Sequence, residues 1–191
     1  MKLGELLFRI RGYTPIPFFT VALILAKPQK DLITFGIILI TFGEFLRIWG
    51  VSYAGGSTRT RKVGAPVLVT NGPYAYLRNP LYLGNLFIYT GAIIAMGGWL
   101  PYLMWIVILF FSLQYMFITR LEENKLIELF GDKYLDYKNA VPSYFPRLSA
   151  YPNRTHIQPE VISALKSEKS TFINIILLTI LFILRWHFIN T

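Results

Sequence analysis

Apolar residues run along this chain in five long blocks that few charges interrupt. Leu81–Thr119 and Phe172–Leu184 carry no charge, and Leu32–Leu46 carries one, Glu44. A helix of a soluble domain keeps a polar face for water, whereas a bilayer span needs about 20 apolar residues. The pattern therefore predicts an all-α integral membrane protein with about five transmembrane helices. The predicted spans are Tyr13–Ala26, Leu32–Tyr53, Leu81–Met96, Pro101–Thr119 and Thr171–Phe188.

The third and fourth spans are joined by Gly97-Gly98-Trp99-Leu100, a link so short that it predicts a tight helical hairpin. Pro101 suits the first turn of the next helix, where its missing N–H costs nothing. The helical pattern then continues to Gly131, and a short helix over Asp132–Asn139 follows, with Asp132 as its cap. We expect a single domain. Its parts are residues 1–53 with two spans, 54–147 around the hairpin, a linker over 148–170 and a last span over 171–191.

The basic residues, which give a formal net charge of +9, lie between the apolar blocks. With five spans, three groups of them fall on one side of the membrane, and only Lys27, Lys30 and Arg185 fall on the other. The three groups are Lys2, Arg9 and Arg11; Arg59, Arg61, Lys62 and Arg78; and Arg120, Lys125, Lys133, Lys138, Arg147, Arg154, Lys166 and Lys169. The positive-inside rule then places the N-terminus in the cytoplasm and the C-terminus outside. We expect a multi-pass protein of a prokaryotic cytoplasmic membrane rather than of the endoplasmic reticulum.

Composition excludes several kinds of chemistry. No nucleic-acid partner is expected, because the basic residues form no patch with interleaved aromatic residues and membrane topology explains their distribution. The absence of cysteine excludes a disulfide framework, a thiol nucleophile and a cysteine metal site. The two histidines, His156 and His187, lie outside the densest motifs, so no metal is expected.

The segment Arg78-Asn79-Pro80, which opens the third span, is the first candidate for binding chemistry. Asn79 can cap the helix, and proline is tolerated at the first helical position. The free N–H groups and partial positive charge of a helix start suit a carboxylate, and Arg78 adds a full charge. An ordinary helix start with a snorkelling arginine is the alternative, and the residues alone favour it.

Two acidic residues, Glu122 and Glu123, follow the fourth span directly. They could hold a ligand ammonium or adenine amine, or they could form salt bridges along the helix, for example from Glu122 to Lys125. Within the second span, Glu44 and Arg47 are three residues apart and are predicted to pair with each other. Five tyrosines could line a pocket or mark the membrane interface: Tyr74, Tyr76, Tyr82, Tyr134 and Tyr137.

Two segments of the chain resemble the signature of isoprenylcysteine carboxyl methyltransferases, which phospholipid N-methyltransferases share. The first is Gly-Pro-Tyr-Ala-Tyr-Leu-Arg-Asn-Pro-Leu-Tyr-Leu-Gly over residues 72–84. The second lies over residues 122–146 and contains Glu-Glu-Asn-Lys-Leu, Phe-Gly-Asp-Lys-Tyr-Leu-Asp-Tyr, Val-Pro and Phe-Pro. The resemblance covers roughly residues 68–147 and flanks the charge-free hairpin. It implies a membrane-embedded enzyme with a cytoplasmic region that binds S-adenosylmethionine.

The resemblance also implies which residues form the site. S-adenosylmethionine would bind between the two segments, and the acceptor would reach it from the lipid. By position, the cofactor-binding residues are Tyr74, Arg78, Asn79, Pro80, Tyr82, Glu122 and Glu123. We also predict Arg120 as a catalytic residue that orients the substrate. The family usually has histidine where this chain has Asn79, and asparagine keeps hydrogen bonding but cannot act as a base.

Methyl transfer from a sulfonium needs in-line approach and desolvation more than acid–base groups. The leading acceptor is a lipophilic carboxylate, such as an isoprenylcysteine-like or other prenylated small substrate, because a carboxylate needs no base and none is evident. Within the same class, a phospholipid amine or a small thiol stays open. A non-catalytic membrane scaffold is the alternative from another class, and the Asn79 departure supports it. A transporter is disfavoured, since no polar residues recur at mid-span.

The predicted topology can be tested with reporter fusions at Gly64, Asn139 and Thr191. We expect the reporters to show cytoplasmic, cytoplasmic and external positions, because the basic residues concentrate on one side. A cytoplasmic signal at Thr191 would remove the first or the last span from the topology.

Overall fold

The computed structural model describes residues 2–55, 64 and 66–190. Four residues of the predictions above, Arg59, Arg61, Lys62 and Thr191, lie outside the described residues. Within the described part the regular structure is helical and includes no strand. The helices are α1 (Lys2–Ile10), α2 (Ile16–Ile24), α3 (Lys30–Ala54), α4 (Pro80–Met96), α5 (Tyr102–Phe130), α6 (Asp132–Ala140), α7 (Val161–Ser167) and α8 (Lys169–Asn190), with a 3-10 turn at Gly72–Ala75.

The helical class and its apolar character are confirmed. Among the described residues, α3, α5 and α8 are long and apolar enough to cross a membrane. The helix α4 is also apolar but has 17 residues, and α2 has nine. The predicted count of five spans therefore stays a prediction. The first predicted span, Tyr13–Ala26, contains the shorter α2, and it is preceded by a separate helix, α1, which the hydrophobic pattern did not predict.

The helices run back and forth between two ends of a bundle. At one end, which we call the site end, Gly4 of α1 packs against Leu121 of α5. At the opposite end, the N–H of Lys27 donates to the carbonyl of Met96 at 2.9 Å, so that the α2–α3 connection meets the α4–α5 connection. The helix α1 and the second half of α5, whose residues were predicted to lie on the same side of the membrane, thus both lie at the site end. That this end faces the cytoplasm stays a prediction.

The predicted hairpin of α4 and α5 is confirmed. Pro101 directly precedes α5, and its carbonyl accepts from the N–H of Trp105 at 3.2 Å. The predicted continuation of α5 to Gly131 and the short helix after it are also confirmed, but the predicted cap is wrong. Gly131, at a φ of 52°, occupies the cap position of α6 itself, and Asp132 is the first helical residue. The predicted linker 148–170 is partly helical, because it contains α7.

Two pairs of glycines bring α3 and α4 together. Gly36 faces Gly91, and Gly43 faces Gly84, so each helix presents its glycines seven residues apart. A Cβ at Gly43 would lie 2.6 Å from the carbonyl oxygen of Gly84, which is closer than real side chains approach. Small residues at such contacts allow helices in a membrane to gain close backbone packing. The pairing fixes α3 against α4, whose start adjoins the candidate site described below.

This packing predicts that Gly43→Ala lowers stability by about 1–3 kcal/mol, because the added methyl group overlaps backbone that cannot move aside. The melting temperature in detergent should fall by several degrees. Gly12→Ala is the matched control, since a Cβ at Gly12 meets no atom within 4 Å. A Gly43→Ala protein that melts like the Gly12→Ala protein would contradict the close contact.

Candidate functional site

The centre of the site end is a group of charges around Arg78, which we call the Arg78 clamp. Arg78 Nη2 and Nε donate to Glu123 Oε1 at 2.9 and 3.0 Å. Arg78 Nη1 donates to the carbonyl of Lys138 at 2.7 Å and to that of Val141. Lys138 Nζ lies 3.0 Å from the other oxygen of Glu123. Four of the five N–H groups of this arginine are thus bonded within the protein.

The clamp is almost fully removed from water. The side chains of Arg78 and Glu123 are 12% and 11% exposed. A buried guanidinium is stable only when its donors are matched, because an unpaired charge in a low dielectric is costly. The clamp therefore fixes the start of α4 to α5 and to the end of α6 at once. The charge of Arg78, which was predicted to attract a ligand carboxylate, is bound here by Glu123.

Asn79 stands next to the clamp and has a different role from the predicted one. It occupies the cap position of α4, but its side chain makes no capping hydrogen bond. Instead, Nδ2 donates to Ser143 Oγ at 2.8 Å and to the Ser143 carbonyl at 3.2 Å. The predicted side-chain cap is wrong, because the amide group is turned away from the helix toward the segment after α6. Pro80, which is fully buried, then begins α4 as expected.

Glu122 lies one position before the clamp and is bonded differently from Glu123. Its Oε1 accepts from the hydroxyl of Tyr82 at 2.9 Å, and the ring of Tyr82 packs against Tyr115 at 4.6 Å between centroids. The predicted salt bridge from Glu122 to Lys125 is wrong, since Lys125 binds Glu128 at 2.7 Å. The two neighbouring carboxylates are therefore distinct: one is matched by two cations, and the other faces a tyrosine hydroxyl.

Tyrosines close the site from the side of α6. The hydroxyl of Tyr137 donates to the carbonyl of Tyr74 at 2.7 Å, and Tyr134 and Tyr137 are buried in a small core with Ala75 and Val141. Burial raises the pKa of Tyr74, and the charge of Glu122 raises it further. Burial likewise raises the pKa of Tyr137. Both phenols therefore stay protonated at physiological pH and act as hydrogen-bond donors rather than bases.

The predicted catalytic residue Arg120 is exposed on α5. Of the predicted tyrosines, Tyr76 packs beside Trp49 of α3, with ring centroids 6.4 Å apart, rather than beside Glu122. His156 and His187 are both exposed. Among the described residues there is no group of three or more His, Cys, Asp and Glu side chains that could hold a metal ion.

A second buried ion pair, which the residue pattern did not reveal, connects α3 to the start of α8. The predicted contact of Arg47 with Glu44 is present at 3.6 Å. The closer partner is Glu168, which is completely buried and accepts from Arg47 Nη2 with both oxygens at 2.8 and 2.7 Å. Thr171 Oγ1 also donates to Glu168 at 2.8 Å, and Asn85 accepts from Arg47. A lone carboxylate directly before an apolar span is the one signal that could have indicated this pair.

Comparison with known proteins agrees with this arrangement. A family model for phospholipid methyltransferase matches residues 32–133, which include both carboxylates and Arg78. The chain is 30% identical over 149 residues to a protein-S-isoprenylcysteine O-methyltransferase of Schizosaccharomyces pombe, covering 75% of this chain and 60% of that protein. It is 32% identical over 120 residues to the Homo sapiens protein of the same name, covering 58% of this chain and 40% of that protein.

Another relative carries a different name. The nickel-cobalt-cadmium resistance protein NccN of Alcaligenes xylosoxydans xylosoxydans is 32% identical over 140 residues, covering 69% of this chain and 61% of that protein. The chain spans about half the length of the curated relatives it matches. The helices α7 and α8 lie beyond the residues that the family model matches.

The clamp predicts that Glu123→Gln destabilises the protein by on the order of 3 kcal/mol, because Arg78 and Lys138 lose their buried counter-charge. The matched control is Glu128→Gln, which breaks an exposed pair one turn further along α5 and should cost less than about 1 kcal/mol. Thermal unfolding in detergent measures both. Equal melting temperatures for the two variants would show that the Arg78 clamp is not a stabilising contact.

Proposed function

The chain belongs to the phospholipid methyltransferase family, and on that basis we propose that it transfers a methyl group from S-adenosylmethionine to a lipophilic acceptor at the cytoplasmic membrane face. The observation that carries the proposal is the pairing of Tyr82 with Glu122 beside the Arg78 clamp. It brings together, at one end of the bundle, residues of the two signature segments that are 40 positions apart in the chain.

The side chains of the site fit the chemistry of the proposed cofactor. S-adenosylmethionine has a positive ammonium and sulfonium, and its adenine amine donates hydrogen bonds. A carboxylate with aromatic neighbours matches these groups through charge and through the negative face of a ring. We propose that Glu122 provides the carboxylate, because it accepts a hydrogen bond from the neutral hydroxyl of Tyr82, whereas Glu123 is bound by Arg78 and Lys138. When bound, the cofactor supplies an electrophilic methyl group.

We assign two kinds of role to the predicted site residues. Tyr74, Tyr82 and Glu122 are the side chains proposed to contact the cofactor. The other four, Arg78, Asn79, Pro80 and Glu123, are proposed to shape the site by fixing the start of α4 against α5 and the segment after α6. Their internal bonds support this division, since Arg78 has four of its N–H groups on protein acceptors and Asn79 holds Ser143. A rigid frame of this kind keeps reacting groups aligned.

A lipophilic carboxylate, such as an isoprenylcysteine-like or prenylated small molecule, is the acceptor we propose. A carboxylate is already nucleophilic, whereas an amine or a thiol must first lose a proton. The raised pKa of Tyr74 keeps that phenol protonated, so it cannot accept a proton from the acceptor, and both histidines are exposed. The exposed Arg120 is proposed to orient the carboxylate at the mouth of the site. A phospholipid amine or small thiol is the alternative acceptor within the same family.

The proposal predicts that Glu122→Gln weakens binding of S-adenosylhomocysteine by about 10- to 100-fold, because a charge-assisted hydrogen bond to a cationic ligand group is worth about 1.5–3 kcal/mol. The fold should be unaffected, since Gln can still accept from Tyr82. Calorimetric titration in detergent gives the affinity, and Glu128→Gln, on an exposed part of α5, should bind like wild type. Unchanged affinity in a folded Glu122→Gln protein would remove Glu122 from the cofactor site.

The acceptor is tested separately with the wild-type protein and a radiolabelled methyl donor. We expect label in a base-labile methyl ester when a prenylated cysteine analogue is offered, and none with phosphatidylethanolamine or a small thiol. Label in the amine or the thiol would replace the proposed acceptor while keeping the enzyme. Cofactor binding with no transfer to any of the three would favour the non-catalytic scaffold.

A further inference from the structure

The segment that follows α6 carries two large apolar side chains with almost no protein contact. Phe145 is 85% exposed, and Leu148 is fully exposed. Removing side chains of this size from water is favourable. The segment over residues 143–148 is therefore expected to lie against an apolar surface in the working protein. We call this segment the rim.

The rim is bonded to the start of α4 and to the middle of α5. Ser143 bonds Asn79, the residue before α4, and the hydroxyl of Tyr144 lies 2.9 Å from Thr119 Oγ1 on α5. The 17 residues of α4 rise about 26 Å, which is close to the thickness of a bilayer core. Thr119 is at a similar distance along α5 from the connection to α4. The rim thus lies at the height where the apolar helices leave the membrane.

An independent segment presents apolar side chains at the same height. The helix α1 packs on α5 where Gly4 meets Leu121, only two residues beyond Thr119. Its side chains Leu3 and Leu6 are 51% and 53% exposed, at the spacing of one helix face. A helix with one apolar and one polar face typically lies in the membrane interface. The rim and the exposed apolar face of α1 therefore lie at the same level along the bundle.

The charges around the rim match a lipid surface. Arg154 is exposed in the same connection, and Lys133 is exposed on α6. Basic residues next to an apolar anchor are attracted by the anionic lipids of a leaflet. Two apolar side chains on a short loop bury far less area than a specific protein–protein interface, which needs about 800 Å² on each partner. Both considerations favour a bilayer over a protein partner.

We propose that Phe145 and Leu148 insert into the boundary between headgroups and acyl chains, so that the rim is a membrane anchor beside the start of α4. Because Ser143 and Tyr144 bond Asn79 and Thr119, anchoring the rim also holds it over the site end. The proposal depends on the position of the helices in a bilayer and not on the methyltransferase activity. It assigns to the Phe-Pro segment of the signature a contact with lipid.

The chain has no cysteine, so single cysteines can report the depth of each position in the full-length protein. Phe145→Cys and Leu148→Cys are labelled with a nitroxide in nanodiscs that contain phosphatidylcholine and phosphatidylglycerol. Collisions with oxygen, which concentrates in lipid, are compared with collisions with a water-soluble nickel chelate. Leu109→Cys on the exposed face of α5 is the lipid reference, and Asn153→Cys in the same connection is the aqueous reference.

We expect the oxygen-to-nickel ratio at both rim positions to be several-fold higher than at residue 153 and lower than at residue 109. A ratio equal to that at residue 153 would overturn the proposal. Protection from nickel that persists in detergent together with a dimeric mass would also overturn it, because a second copy would then cover the rim. Melting temperatures near that of the wild type confirm that each labelled protein is folded.

Discussion

The Arg78–Glu123 ion pair is the contact on which the geometry of the site end depends. It joins the segment before α4 to the extension of α5, and the remaining donors of Arg78 reach the carbonyls of Lys138 and Val141 at the end of α6. A guanidinium that is 12% exposed requires matched donors, so this contact holds the three chain segments together. Glu122, one residue away, is then turned toward Tyr82. The pair thus distinguishes a carboxylate bound by two cations from its neighbour, which accepts a hydrogen bond from a tyrosine hydroxyl.

The same constraint explains how the last helix is attached. Arg47 lies within an apolar helix, where a charge requires a partner. The completely buried Glu168 supplies it from the start of α8, which lies beyond the residues that the family model matches. Apolar packing alone would not fix the position of α8, since the middle of this helix has no buried residue. This ion pair fixes the start of α8 against α3, and Arg185 further along α8 donates to the carbonyl of Ile24 at 3.2 Å.

Close backbone contact fixes α3 against α4. The glycines of α3 and α4 allow the two helices to approach until a Cβ would overlap a carbonyl oxygen, and Arg47 lies beside Gly84 in this contact. Arg47 is consequently held on a rigid pair of helices, and the start of α4, next to the Arg78 clamp, is held with it. Methyl transfer depends on alignment more than on acid–base groups, so such a rigid support suits the proposed chemistry.

The sequence by itself determined the elements that depend on neighbouring residues. The apolar blocks predicted α3, α4, α5 and α8, and the four-residue connection predicted the hairpin, because helix formation and burial in lipid are set by local composition. The two signature segments could also be recognised from the sequence, since each is continuous along the chain. The small helices α1 and α7 were missed because each is short and packs against another helix, α1 on α5 and α7 on α3.

Only the tertiary structure decided which partner each polar side chain has. Arg78 and Glu123 are 45 positions apart, and Arg47 and Glu168 are 121 apart, so no local spacing could pair them. For the same reason Asn79 was predicted as a helix cap, whereas its amide bonds Ser143, 64 positions further along the chain. In a membrane protein a buried polar group needs a hydrogen-bonding partner. The way in which the helices cross decides which group is that partner. The sequence does not show how the helices cross.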